Sequence, residues 1–344
     1  MGNTISNTIG GWTLIVTALI GFGVTSILGI WLIPFLRKLK FGQTILDEGP
    51  KWHKAKQNTP TMGGFMFIIG ITAAAVIGFI MNSKNINITS EYEISLTARL
   101  IVGIIMALGF GFIGFVDDYI KVVKKRNLGL TAKQKMIMQF IVAVFYLATM
   151  YFVGDTSTFV WIPFIGMVDF GIFYYPLCVL GIIFITNSVN LTDGLDGLNA
   201  SVTFSCALGF MAYSVIMGRA FNNLNILAVA TAAGCLGFLV WNFYPAKVFM
   251  GDTGSLFLGG LVVAMAFQAG MPLILLFMGI IYITESLSVI IQVTSFKLTG
   301  KRIFKMSPWH HHCEMCGMSE VKIVGIFTLI NTIGVILGIL IACY

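Results

Sequence analysis

The segment Asn187-Ser-Val-Asn190-Leu-Thr-Asp193-Gly194-Leu195-Asp196-Gly197 gathers two carboxylates, two carboxamides and two hydroxyls within eleven residues. It follows directly on the apolar run Pro176–Thr186, in a chain that otherwise avoids charge. An ionised group beside hydrocarbon costs about 2.5–3.5 kcal/mol on insertion scales, so such groups mark function by default. Two further acidic places adjoin apolar stretches, Asp117-Asp118 and Gly251-Asp252. Asn187, Asn190 and Asp193 are three apart, which on a helix lines one face with two amides and a carboxylate. That face suits a polar ligand, although Asp-Gly twice is also ordinary turn chemistry. The segment is not a calcium-binding EF-hand, because position twelve from Asp193 is Phe204.

The Asp117-Asp118 doublet has Lys121, Lys124 and Lys125 one and two helical turns beyond it. Adjacent carboxylates repel, and a metal, a cationic partner or a shared proton relieves the repulsion. A salt-bridged helix end accounts for the same residues. Asp252 opens an apolar stretch in Phe249-Met-Gly-Asp-Thr-Gly-Ser255. There it acts either as a helix N-cap or, with phosphate oxygens, as a magnesium ligand. Pro308-Trp-His310-His311-His312-Cys313-Glu-Met-Cys316 holds three of the four histidines and a Cys-x-x-Cys. Zinc is one reading, but three consecutive histidines cannot all face one ion from a regular helix. Imidazoles contacting a pyrophosphate, or orienting a carboxylate, are the other. Lys56-Gln-Asn-Thr-Pro-Thr61-Met-Gly-Gly64 brings a base and hydroxyls to the start of another apolar run.

These groups need elements to position them, and composition names the medium. Hydrophobic residues make up 57% of the 344 and charged ones 10%, against roughly 25% charged in a soluble domain. A span takes about 20 apolar residues. Ten candidates follow, near 12–35, 62–81, 99–116, 135–153, 172–189, 200–217, 225–243, 255–270, 273–294 and 323–343. The runs are too long and uniformly apolar for barrel strands. The fold class is therefore all-α: a polytopic integral membrane protein of about ten transmembrane helices, read as one domain over 1–344. The 154–171 connection has room for a small hairpin or interfacial helix. All Lys and Arg except Lys84, Arg99 and Arg219 fall on alternate loops. The positive-inside rule puts those loops in the cytoplasm and both termini outside. The net charge of +7 then reflects topology and anionic headgroups, and no nucleic-acid signature accompanies it. No outward loop carries a cysteine pair, so no disulfide framework is expected.

Separated carboxylates, lysines, amides and histidines at one membrane face form the kit for metal-assisted phosphoryl transfer in a cytoplasmic cleft. No Walker A or dinucleotide-binding glycine pattern is present. A transporter is the distant alternative. Carriers commonly hold coupling acids near the midplane between repeated halves, whereas these acids sit at span ends without a visible repeat.

In these motifs and their order the whole chain resembles the polyprenyl-phosphate sugar-1-phosphate transferases. Pro60-Thr-Met-Gly-Gly64 and His310–His312 set it in the branch that takes a muramyl-peptide donor. The alternative within the superfamily is a transferase of a simpler UDP-hexosamine phosphate. The resemblance implies transfer of phospho-MurNAc-pentapeptide from UDP-MurNAc-pentapeptide to undecaprenyl phosphate, giving lipid I and UMP, with Mg²⁺ as cofactor. It implies a bacterial cytoplasmic membrane, lipid and the two substrates as partners, a homodimer as candidate assembly, and no nucleic acid. By motif, Asp252 is the implied metal ligand, Asp117 the base toward the lipid phosphate, Asp118 its assistant, and His311 a further catalytic group. Lys121, Lys125 and Lys133 hold phosphates on the same reading. Lys56, Thr61, Asn187, Asn190, Asp193, Gly194, Leu195, Asp196, Asn242 and Phe249 line the donor side, with Phe249 stacking on uracil. Gln292, His310 and His312 flank the site, and the ninth span breaks to form a lipid groove. Trp309 and Cys313 depart from the residues the resemblance leads one to expect beside the triple histidine.

Overall fold

The computed structural model describes residues 9–39, 56, 59–83, 91–123 and 128–343. Its long helices are α1 (Gly11–Lys38), α2 (Gly64–Ser83), α3 (Glu91–Val123), α4 (Ala132–Phe152), α5 (Tyr174–Leu191), α6 (Leu198–Met217), α7 (Asn222–Asn242) and α8 (Gly251–Gln268). The short α9 (Leu275–Met278) leads into α10 (Ile280–Thr299), followed by α11 (Trp309–Met315) and α12 (Glu320–Cys343). Between α4 and α5 an antiparallel hairpin pairs β1 (Phe159–Ile162) with β2 (Gly166–Asp169), as the length of that connection allows.

Among the described residues eight helices are long and apolar enough to cross a membrane, and a ninth span is counted if α9 and α10 form one. The pair bends by 85° between Met278 and Ile280, the break expected in the ninth span. A bend frees backbone carbonyls that lipid cannot satisfy. Asn331 of α12 answers this by donating to the Met278 carbonyl at 3.2 Å and to Ser205 Oγ at 2.7 Å. The remaining expected span, 255–270, corresponds to α8, which is not among the eight. Its Gly251-Asp-Thr-Gly-Ser opening and terminal Gln268 lower its mean hydropathy. Thr253–Ala266 is buried throughout, so protein rather than lipid surrounds it.

Packing follows small residues. Helix α1 buries Thr13, Thr17, Gly21, Thr25, Gly29 and Ile33 in four-residue steps against α2 and α7, while Trp12, Leu19 and Trp31 face outward. Between helices in lipid the apolar driving force is weak, and close approach of backbones supplies the attraction instead. The most extensive helix pair is α3 with α8. At the end of that pair where α8 begins, a Cβ on Gly114 would overlap the Asp252 carbonyl. Gly114→Ala is expected to cost about 1–3 kcal/mol by overpacking and to move Asp252. A lower thermal midpoint in detergent, with activity falling alongside it, checks this; an unchanged midpoint refutes it.

Candidate active site

The ends of α3 and α5 and the starts of α2, α4 and α8 converge at one end of the bundle. Asp117 and Asp118 lie on the last turns of α3 and are buried at 3% exposure each. Asp252, on the first turn of α8, keeps 21% of its side chain exposed. One oxygen from each of the three carboxylates lies within 4.8 Å of the others, and the group could hold a metal ion. No other set of three His, Cys, Asp or Glu ligand atoms converges in this way among the described residues. The zinc reading of the His–Cys segment therefore finds no assembled site.

The three acids share Lys121 but differ in their other partners. Asp118 Oδ1 accepts the Asp252 N–H at 3.2 Å, and Oδ2 accepts the Thr253 N–H at 2.9 Å and the Thr253 hydroxyl at 2.7 Å. It thus caps α8 from a neighbouring helix, the role that sequence alone left open for Asp252. Helix starts present unsatisfied N–H groups and positive dipole ends, and a buried carboxylate answers both. The cap requires α8 to begin tightly. Gly251 takes φ 70°, and any Cβ there would meet Asp118 and Thr61. Asp117 Oδ1 instead accepts the Leu130 N–H at 2.7 Å, fixing the segment before α4.

Lys121 Nζ lies 2.6 Å from Asp117, 3.1 Å from Asp252 and 3.9 Å from Asp118. Lys135, on α4, reaches Asp252 at 3.0 Å. Sequence reasoning passed over Lys135, because Lys133 and Lys135 straddle the expected start of the fourth span near 135–153 and read together as ordinary basic loop charge. The structure gives the contact to Lys135 and leaves Lys133 exposed. Lys125 lies outside the described residues. Thr253 and Ser255 were also missed as partners, since neither can be told from ordinary helix-start residues without α3 and α5 in place.

Asn190 joins the cluster, its amide donating to Asp252 Oδ1 at 3.0 Å and Ser255 Oγ at 2.7 Å. Asn187 does not follow it. That side chain exchanges two hydrogen bonds with Gln139 on α4, at 3.2 and 2.7 Å. Asp193 falls past the end of α5, so the three-residue spacing is helical only as far as Asn190. Burial and the charges of Asp252, Asp118 and Asp196 push the Asp193 carboxyl well above its ordinary range.

A second group forms around the turn after α5. Lys56 pairs with Asp196 at 2.7 Å and with Glu320, the first residue of α12. Asp196 also accepts the Ala246 N–H at 2.9 Å. Asn242 accepts the Gly197 N–H at 3.0 Å and donates to the Val248 carbonyl at 2.9 Å, so its amide serves the protein rather than pointing outward. Phe249 is half-buried, and its backbone pairs with Pro60 and Gly63, which brings Thr61 beside Gly251. Leu195 is buried, and the His310 ring packs against the Gly194 backbone.

The histidines take separate partners, although the His310 and His311 ring centroids lie only 4.2 Å apart. His310 is buried 3.1 Å from Glu285 of α10, and His311 pairs with Glu314 at 2.7 Å. His312 accepts the Lys305 N–H at 3.2 Å and faces Cys316 Sγ at 3.8 Å. Gln292 holds the backbone of Ile303 and Phe304 through both ends of its amide. His312 and Gln292 are thus engaged in shaping the loop itself.

The acid–lysine cluster lies at one mouth of a multi-pass bundle, and the glycosyl transferase family 4 model, matching residues 100–270, spans the whole cluster and sets the chain among the transferases. The chain is 46% identical over 332 residues to the phospho-N-acetylmuramoyl-pentapeptide-transferase of Heliobacterium modesticaldum, covering 96% of this chain and 97% of that one. It is 49% identical over 323 residues to the enzyme of that name from Clostridium perfringens strain 13, covering 93% and 96%. With that from Shouchella clausii it shares 45% over 336 residues, covering 97% and 98%. The chain belongs to the phospho-N-acetylmuramoyl-pentapeptide-transferase family. It is a multi-pass protein of a bacterial membrane.

Two outcomes are expected from this geometry. Asp118→Ala should destabilise the protein by about 1–2 kcal/mol, as lost helix caps do, and lower activity with it. Thr253→Val, which removes one of the three donors, should give a smaller form of both effects. An Asp118→Ala protein of unchanged stability and no activity would instead place Asp118 in the chemistry. For Asp193, the neutral carboxyl is the form the fold favours. Its contribution to stability is complete below its ordinary pKa of 3.8 and is lost as pH rises through the raised native value. The thermal midpoint in magnesium-free detergent should therefore fall less steeply with rising pH in Asp193→Asn than in the wild type, and parallel curves would refute this.

Proposed function

We propose that residues 1–344 form a single transferase domain that moves phospho-MurNAc-pentapeptide from UDP-MurNAc-pentapeptide to undecaprenyl phosphate, giving lipid I and UMP. The work is done at the cytoplasmic face, where the positive-inside rule puts the lysine-rich ends of the helices. The observation that carries the reading is the set of Asp117, Asp118 and Asp252 within 4.8 Å, braced by Lys121 and Lys135. It stands in a chain that aligns over nearly its whole length with enzymes named for this transfer.

All-carboxylate donors suit a hard cation, and Mg²⁺ takes one or two carboxylates together with phosphate oxygens. Asp252, the most exposed of the three, would hold it with Asp117 beside it. Bound there, the ion neutralises charge that develops on the phosphates.

The chain's own residues do the rest. Asp117 accepts the proton of the lipid phosphate, while Asp118 keeps the start of α8, and Asp252 with it, in place. Lys121 and Lys135 hold phosphate oxygens, with Lys133 on the approach. An oxygen of the lipid phosphate bonds to the sugar-linked phosphorus. The bond from that phosphorus to the bridging oxygen breaks, and its electron pair leaves with UMP. Positioning and charge neutralisation account for most catalysis in reactions of this kind. Lys56, Thr61, Asn190, Asp193, Gly194, Leu195 and Asp196 frame the nucleoside side, and Phe249 stacks on the base. His311, oriented by Glu314, faces the transferred group. Asn187, Asn242, Gln292, His310 and His312 act one contact away, by fixing the segments that carry these groups.

The test is UMP release by detergent-purified protein from UDP-MurNAc-pentapeptide, with undecaprenyl phosphate and Mg²⁺. EDTA and Asp252→Asn should each reduce release to background. Release from UDP-N-acetylglucosamine would move the chain to the hexosamine branch, and an active Asp252→Asn enzyme would remove magnesium from this site.

A further inference from the structure

Glu320 belongs to none of the motifs that point to chemistry, yet it joins two of them. It opens the mostly apolar α12, and its side chain is 10% exposed. Its Oε1 pairs with the Lys56 ammonium and accepts the Asp196 N–H at 3.3 Å. The second carboxylate on that ammonium is Asp196 itself, at 2.7 Å. The ring Lys56–Asp196–Glu320 therefore closes through side chain and backbone together. It ties the segment before α2 and the turn after α5 to the start of α12.

The charge balance decides what this ring can do. Two carboxylates on one ammonium leave a net charge of −1, so Lys56 is not a spare cation waiting for a diphosphate. A phosphate would have to displace at least one carboxylate, whereas a neutral ligand with hydroxyl or imide groups would meet a fixed wall of donors and acceptors. Holding that wall requires both anions, because Asp196 has its other oxygen on Ala246. Without Glu320, the Lys56 side chain regains rotamers about several bonds, and the Asp196 N–H loses its partner.

We propose that Glu320 is a positioning residue for donor recognition: it fixes Lys56 and Asp196 against each other so that they hold the nucleoside portion of the UDP donor. The proposal rests on the transferase reading above. It separates two functions in one cleft, since Glu320 serves binding of the nucleoside and takes no part in the chemistry at Asp117 and Asp252.

The experiment uses the full-length protein in detergent, with Glu320→Gln as the near-isosteric variant. UMP release is followed with donor and lipid acceptor varied separately, and UDP binding is measured by calorimetry. Glu320→Gln is expected to raise the donor KM and weaken UDP binding by about tenfold or more, with kcat within about twofold and the acceptor KM unchanged. Lys56→Gln should do the same, and the double variant should be little worse than Lys56→Gln alone, because contacting residues couple non-additively. A purely structural role would lower kcat and thermal stability together and leave the KM values alone; that result overturns the proposal, as does additivity of the two substitutions. If the wild type turns over donor and Glu320→Gln behaves like it, the proposal fails and the transferase reading stands. If the wild type releases no UMP, the transferase reading fails and takes the proposal with it.

Discussion

The start of α8 is a helix N-terminus set among other helices at the edge of a membrane, with Thr253 buried and Asp252 part-buried. Such an end must find acceptors, and the side chains of Asp252, Thr253 and Ser255 in its own first turn are turned to other partners. Asp118 provides them from α3 through three hydrogen bonds. Much of the site geometry follows from that arrangement. For the carboxylate to reach the helix start, α3 and α8 must come close enough that Gly114 has no room for a side chain against Asp252. Once they do, Asp117 is turned the other way, toward Leu130, and the path into α4 is fixed. Helix α4 in turn delivers Lys135 to Asp252. The doublet is thus two anchors pointing in opposite directions, and the cluster is where their consequences meet.

The group around Lys56 and Asp196, proposed above as the nucleoside side, is built on a different principle. There, backbone N–H groups of the turn and loop segments are held by side-chain oxygens: Ala246 by Asp196, Gly197 by Asn242, Asp196 by Glu320. Loops held this way are shaped by polar groups rather than by apolar packing, which suits a surface that must present hydrogen-bonding groups to a soluble ligand. The bent α9–α10 pair shows the same economy farther into the bundle. Its freed carbonyl is met by Asn331, and Gln292 on the same helix secures the loop that leads to the histidines.

The membrane architecture was legible because apolar run length and the alternation of basic loops are local properties of the chain. The chemistry was legible as residue type: Asp117, Asp118, Asn190 and Asp252 do come together. Division of labour among them was not. Nothing local says that Asp118 rather than Asp252 caps α8, because the cap comes from 134 residues away. Lys135 could not be separated from Lys133 without knowing the face of α4 that meets α8. Asn187 has the spacing of a ligand residue but meets Gln139, a partner that only helix packing reveals. Helix α8 itself was expected as a span on apolar length, and its burial by neighbours explains why it tolerates so polar a beginning.

The hydrogen bonds also bear on which acid can take a proton. Carboxylates this close titrate as a set, so no single residue owns the titration. Their competence as bases still differs, since a base needs an oxygen facing the substrate. Both Asp118 oxygens are engaged by the first turn of α8, and freeing either would undo the helix start. Asp252 is turned toward Lys121, Lys135 and Asn190, a set that stabilises its anion and suits it to hold a cation. Asp117 has one oxygen on the Leu130 N–H and the other on Lys121. That second contact is one a phosphate can compete for, because Lys121 already divides its charge among the three acids. An anionic acceptor that draws Lys121 toward itself exposes the Asp117 oxygen in the same movement. Of the three acids, Asp117 thus has the oxygen an anionic ligand could most readily reach, which supports the proposed assignment of the base to it.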